Sequence, residues 1–96
     1  MAPGIRELRD SINHIDRQLL ELLAERMRLV MRVGEIKRAH GLQVYDAERE
    51  RELLERVSKS ASTPLEPDMA RRIFECVIQE SRDLERRHVE TQAKPG

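Results

Sequence analysis

Apolar residues recur at steps of three and four along the first third of the chain. Ile5, Leu8, Ile12, Ile15, Leu19 and Leu22 lead to Arg26, and Leu29, Val33 and Ile36 continue beyond it. That spacing is a heptad-type seam on one helix. A second stripe runs beside it through Leu20, Leu23, Met27, Val30, Gly34 and Lys37. No proline lies between Pro3 and Pro64, and Gly41 after His40 reads as a helix stop. The pattern predicts a first helix over about 5–40. At roughly 1.5 Å per residue it is roughly 50 Å long. A compact chain of 96 residues is only about 32 Å across. Either the helix breaks or another chain covers its seam. A homo-oligomer of long packed helices is the simpler expectation.

The rest of the chain predicts two shorter helices. Residues 41–45 form a link, and Asp46 can cap a second helix over about 46–59, with Leu53, Leu54 and Val57 on its apolar face. Ser60 to Pro64 read as a loop. A third helix is expected over about 65–88, because Thr63-Pro64-Leu65-Glu66 fits a capping box with proline at the first helical position. Pro67-Asp68 offers an alternative start. Ala70, Ile73, Phe74, Val77 and Ile78 share one face of that helix, and residues 89–96 read as a frayed tail. There is no strand alternation and no repeat. The expected fold class is all-α, one domain over 1–96 with one long and two shorter helices.

Composition narrows the function classes. Lysine plus arginine and aspartate plus glutamate each number 18, so the formal net charge is zero. A nucleic-acid binder would carry a basic excess, and one Tyr with one Phe cannot make a stacking platform for single strands. No apolar run approaches the roughly 18 residues of a membrane span. The start is not the basic-then-apolar pattern of a secretory leader. Neither a nucleic acid nor a membrane is therefore an expected partner. Cys76 is the single cysteine, which excludes an internal disulfide framework and makes the cytoplasm the expected setting. Cys76 itself reads as a core residue. His14, His40 and His88 form no close ligand pair, so no metal is expected. Charged residues make up 38% of the chain, yet Leu, Ile, Val and Phe supply a quarter of it, more than disordered chains carry.

The informative charges are those that interrupt apolar faces. Arg26 occupies a seam position, and Lys37 lies about 20° from it around the axis and roughly 16 Å along it. Asp46 and Glu50 continue the line to Leu53 and Val57, while Ser81 and Glu85 fall inside the arc of Ala70, Phe74, Val77 and Ile78. Each has an ordinary structural explanation. Arg26 can set register against a glutamate, Lys37 can favour a helix C-terminus, Asp46 can be a plain cap, and Ser81 can be a small packing residue. Arg49 and Glu50 can belong to a solvated run, and Glu85 can be solvated near a helix end. Together they place charges of both signs on the inward faces of three helices. Burying an unpaired charge costs several kcal/mol. A polar site inside a helical core accounts for all of them, and two cations without an aromatic wall suit a small carboxylate-bearing ligand. Arg9 lies roughly 25 Å before Arg26 on the same helix. It can reach such a site only from an antiparallel partner chain.

These residues resemble a known family. Leu8-Arg9 with Ile12, Ile15 and Asp16, then Leu22-Leu23-Ala24-Glu25-Arg26, then Val33-Gly34-Glu35-Ile36-Lys37, then Asp46 with Arg49-Glu50-Arg51, look like the all-helical class of chorismate mutases. The similarity runs from about Ile5 to about Arg87. It implies an intertwined homodimer of three-helix chains with two active sites, each built from both chains. It also implies conversion of chorismate to prephenate in Phe and Tyr biosynthesis, a Claisen rearrangement needing no cofactor and no metal.

By resemblance, Arg9 of the partner chain and Arg26 bind the substrate carboxylates, with Arg49 in the same cationic pocket. Lys37 hydrogen-bonds the ether oxygen, Asp46 positions Lys37 or Arg9, Glu50 accepts from the ring hydroxyl, and Ser81 sits near a carboxylate. Glu85 stands where some members carry glutamine as a second donor to the ether oxygen, and it has to be protonated to donate. Lys37, Glu85 and Arg26 are the expected catalytic residues. The alternatives are an isochorismate-pyruvate lyase of the same fold and a catalytically silent helical docking or regulatory module.

Overall fold

The computed structural model describes residues 2–93. Three helices follow in order: α1 (Ile5–Ala39), α2 (Ala47–Ser60) and α3 (Pro67–Ala93). No strand occurs among the described residues. Asp46 caps α2 as its sequence position predicted, its Oδ1 accepting from the Arg49 backbone N–H at 3.0 Å. The end of α1 also follows the sequence. Gly41 takes φ of +66°, its N–H donates to the Arg38 carbonyl at 3.2 Å, and Leu42 N–H donates to the Lys37 carbonyl at 2.7 Å. This paired reach back over the last turn needs a left-handed residue, which glycine supplies without a Cβ clash.

Helix α3 differs from its expected span. It starts at Pro67, the alternative start, and runs on to Ala93. The proposed tail is therefore helical over residues 89–93, and residues 94–96 lie outside the described part. The added turn has a packing reason. Val89 comes against Gly34 of α1, where a Cβ would lie 3.1 Å from Val89 Cγ2.

Helices α1 and α2 both pack on α3 and not on one another. The chain is elongated, with extents of 58 × 32 × 15 Å and a radius of gyration of 17.4 Å. A compact chain of this length would have a radius near 12–13 Å. The two stripes of α1 part company here. Leu23, Met27, Val30, Gly34 and Lys37 turn towards α3 and lose much of their exposure. The heptad seam stays open: Leu8, Ile12, Ile15, Leu19, Leu22, Leu29, Val33 and Ile36 are all exposed, Leu22 at 62%. Ala70 and Ile78 of α3 are the buried apolar side chains. Cys76 is exposed, correcting the expectation of a core residue. It sits two positions from both Phe74 and Ile78, which turns it about 200° away from each on a helix.

Candidate active site

One cavity of about 290 Å³ lies between the C-terminal half of α1, the start of α2 and the middle of α3. Its charged lining comprises Arg26, Lys37, Arg49 and Arg82 against Asp46, Glu50 and Glu85. Leu29, Val30, Val33, Leu53 and Ile78 supply an apolar wall. Sequence reasoning named Arg26, Lys37, Asp46, Glu50 and Glu85 from their positions on otherwise apolar faces and Arg49 by resemblance, and Ser81 lines the cavity with them. Arg9 does not line it and is exposed near the opposite end of α1.

Arg26 and Ser81 form the first element of the site. Arg26 Nη1 donates to Ser81 Oγ at 2.6 Å, and the Ser81 hydroxyl donates to the Val77 carbonyl at 2.6 Å. Burial pulls the Arg26 guanidinium below its ordinary pKa, and the charge of nearby Arg49 pulls in the same direction. Two cations crowd one cavity wall without a matching acid in the Arg26 bond, which is the electrostatic signature of a place prepared for an anion.

Lys37 and Glu85 form the second. Lys37 Nζ donates to Glu85 Oε2 at 3.0 Å and to the Val44 carbonyl at 2.8 Å. Glu85 is only 6% exposed. The Val44 carbonyl is available because the turn at Gly41 folds the link back across the last turn of α1. Lys37 is held through Val44, whereas the Asp46 side chain accepts from Arg49 N–H and its carbonyl accepts from Glu50 N–H at 3.1 Å.

Glu50 and Arg82 form the third, and Arg82 was not among the residues read from the sequence. Arg82 Nε donates to Glu50 Oε2 at 3.0 Å and Arg82 Nη2 donates to Glu50 Oε1, a two-pronged ion pair from α3 to α2. Its carbon Cζ lies 4.5 Å from the centroid of the Tyr45 ring. The hydrogen bond to Glu50 raises the Arg82 pKa above its ordinary value, against the opposing penalty of burial, and the charges of Glu50, Tyr45 and Asp83 add to the rise. The signal was in the spacing: Ile78, Arg82 and Glu85 share a helix face at steps of four and three.

Among the described residues no group of histidine, cysteine and acidic side chains could hold a metal ion, and no helix is long and apolar enough to cross a membrane. The set is instead a nest of cations, with acids beside them, around a small cavity. It can grip carboxylates, fix a hydroxyl, and present hydrogen-bond donors to an oxygen that gains negative charge.

Known proteins are similar to this chain in sequence and in shape. The chain is 32% identical over 91 residues to the chorismate mutase of Methanocaldococcus jannaschii, covering 94% of this chain and 92% of that one. It is 39% identical over 82 residues to the T-protein of Enterobacter agglomerans, covering 84% of this chain but only 22% of that protein's length. The solved structure of chorismate mutase (form II) from Thermus thermophilus superposes with a TM-score of 0.84 at 35% identity, over 86% of this chain and 94% of that one. Residues 8–86 match the family described as chorismate mutase type II. The three-helix chain with its cationic cavity belongs to the type II chorismate mutase family.

Proposed function

We propose that this chain rearranges chorismate to prephenate in a cavity that two copies of the chain complete. The observation that carries the reading is the cavity itself. Arg26, Lys37 and Glu85 converge there from α1 and α3, Arg26 bonded to Ser81 and Lys37 bonded to Glu85. The family membership supports the same substrate.

The reaction breaks a C–O bond and forms a C–C bond within one molecule, so the protein has two tasks. The first is to hold the flexible side chain of the substrate over its ring, an entropic contribution. Arg26, with Arg49 beside it, suits one carboxylate. The partner's Arg9 suits the other. The second task is to stabilise negative charge that grows on the ether oxygen in the transition state. Lys37 is the donor for that oxygen, held by the Val44 carbonyl and by Glu85 Oε2. Glu50 accepts from the ring hydroxyl.

The open seam of α1 supports a homodimer. A run of exposed Leu, Ile and Val along a helix of 35 residues is too large an apolar surface for a monomer. Two such helices packed antiparallel would cover it and carry Arg9 towards the cavity of the partner. The test is to incubate the purified chain with chorismate and, in parallel, with isochorismate. Loss of chorismate with prephenate as the identified product supports the reading. Pyruvate release from isochorismate alone, or no turnover of either, overturns it.

A further inference from the structure

We propose that Arg82 is a positioning residue that sets the specificity of the site for a hydroxyl-bearing ring, acting through Glu50 and clamped by Tyr45. This rests on the reading of the cavity as a chorismate site. Glu50 stands in the first turns of α2, where backbone N–H groups point past it towards the helix start. On its own a glutamate there has three rotatable bonds and several places to go. Arg82 removes that freedom. Both nitrogens of its fork face both oxygens of Glu50, so the carboxylate plane is fixed as well as its position. A lysine at the same place would supply a point charge and no plane.

Arg82 is held in turn. Its guanidinium lies over the Tyr45 ring, and Tyr45 directly precedes the Asp46 cap of α2. The cation and the ring attract, which favours this placement of the guanidinium. Tyr45, Arg82 and Glu50 therefore make a chain of orientation from the link through α3 to α2. Both Arg82 and Glu50 line the cavity, and their contact closes one side of it between the two helices. A two-pronged pair leaves each carboxylate oxygen of Glu50 with a second lone pair, which is what a substrate hydroxyl needs.

Two rival roles make different predictions. If Arg82 only ties α3 to α2, its loss lowers thermal stability and leaves the rate of folded enzyme intact. If Arg82 itself grips a substrate carboxylate, its loss is felt whether or not Glu50 is present. If Arg82 acts through Glu50, its loss is felt only when Glu50 is present and only when the substrate carries the ring hydroxyl.

The experiment compares wild type, Arg82→Met, Arg82→Lys, Glu50→Ala and the Arg82→Met/Glu50→Ala double variant, each with chorismate and with a chorismate analogue lacking the ring hydroxyl. Melting curves restrict the kinetics to folded protein. The expected result is a loss of about tenfold to a hundredfold in kcat/KM for Arg82→Met with chorismate, the scale of a group displaced by an ångström or so. Arg82→Lys should recover part of it. Arg82→Met should cost nothing further in the Glu50→Ala background and nothing with the deoxy analogue. An equal loss with both substrates, a further loss in the Glu50→Ala background, or an unchanged kcat/KM for Arg82→Met overturns the proposal and leaves the mutase reading standing. No turnover of chorismate by the wild-type chain overturns both.

Discussion

A Cβ placed on Gly34 would lie 2.8 Å from Cγ of Glu85. The stem of the buried acid thus rests directly on the backbone of α1, one turn before Lys37. A side chain at this position would force the side chains of Glu85 and Val89 to shift. The consequence reaches Lys37, whose Nζ meets Glu85 Oε2 at 3.0 Å.

The Gly34→Ala variant separates stability from function. Alanine in a helix interior is favoured over glycine by about 1 kcal/mol, which offsets part of the steric cost. The displaced Glu85 carries no such compensation. We expect a small change in melting temperature and a loss of about tenfold or more in kcat/KM, because a misplaced donor forfeits its preorganisation. A Gly34→Ala enzyme with wild-type kinetics would show that Glu85 is not seated by this contact.

Lys37 is expected to matter most for the chemical step. On the proposed function, Lys37→Ala removes the donor to the developing oxyanion, and it takes from buried Glu85 its ion-pair partner. The expected loss in kcat is about 10²- to 10³-fold, the cost of removing one such donor elsewhere. Steady-state kinetics settle it: a variant that raises KM and keeps kcat would assign Lys37 to binding alone.

Much of this site could be read from the sequence because a charge on an apolar stripe breaks a pattern. Arg26 stands in the seam between Leu22 and Leu29, and Ser81 and Glu85 stand on the arc of Ile78. The structure puts all three on the cavity. Val44 could not be read this way. Its contribution is a backbone carbonyl, and where that carbonyl points depends on the turn at Gly41. Arg82 escaped because it is followed by Asp83 and so looks like part of a solvated run. The end of α3 escaped because Val89 is held by Gly34, 55 positions earlier in the chain. Periodicity reports which face a residue occupies, and contacts between distant segments decide how far a helix runs.

Glu85→Gln separates hydrogen bonding at this position from charge. Glutamine keeps an oxygen that can accept from Lys37 and adds an N–H that can donate. If the side chain serves the site by hydrogen bonding beside Lys37, Glu85→Gln should keep kcat/KM for chorismate within about tenfold, whereas Glu85→Ala should lose about 10²-fold or more. Equal losses in the two variants, measured by following chorismate consumption, would show that the carboxylate charge is what matters.

The last prediction concerns the open seam of α1 and the place of Arg9. Leu8, Ile12, Ile15 and Leu19 are exposed along the half of α1 that α3 does not cover, Ile12 at 54%. If a second copy covers them, light scattering should report a dimer, and Ile12→Asp with Ile15→Asp should yield an inactive species of half the mass. Arg9 then allows a sharper test. Each site of the dimer would take Arg9 from one chain and Arg26 from the other. Arg9→Ala and Arg26→Ala homodimers should each be nearly inactive. In a mixed dimer, one site combines both substitutions and the other has neither. Co-expressing differently tagged chains and isolating the mixed dimer should thus restore about half of wild-type kcat, as expected for sites shared across a two-fold axis. If both arginines served the same site from one chain, each site of the mixed dimer would carry one defect, and no activity would return.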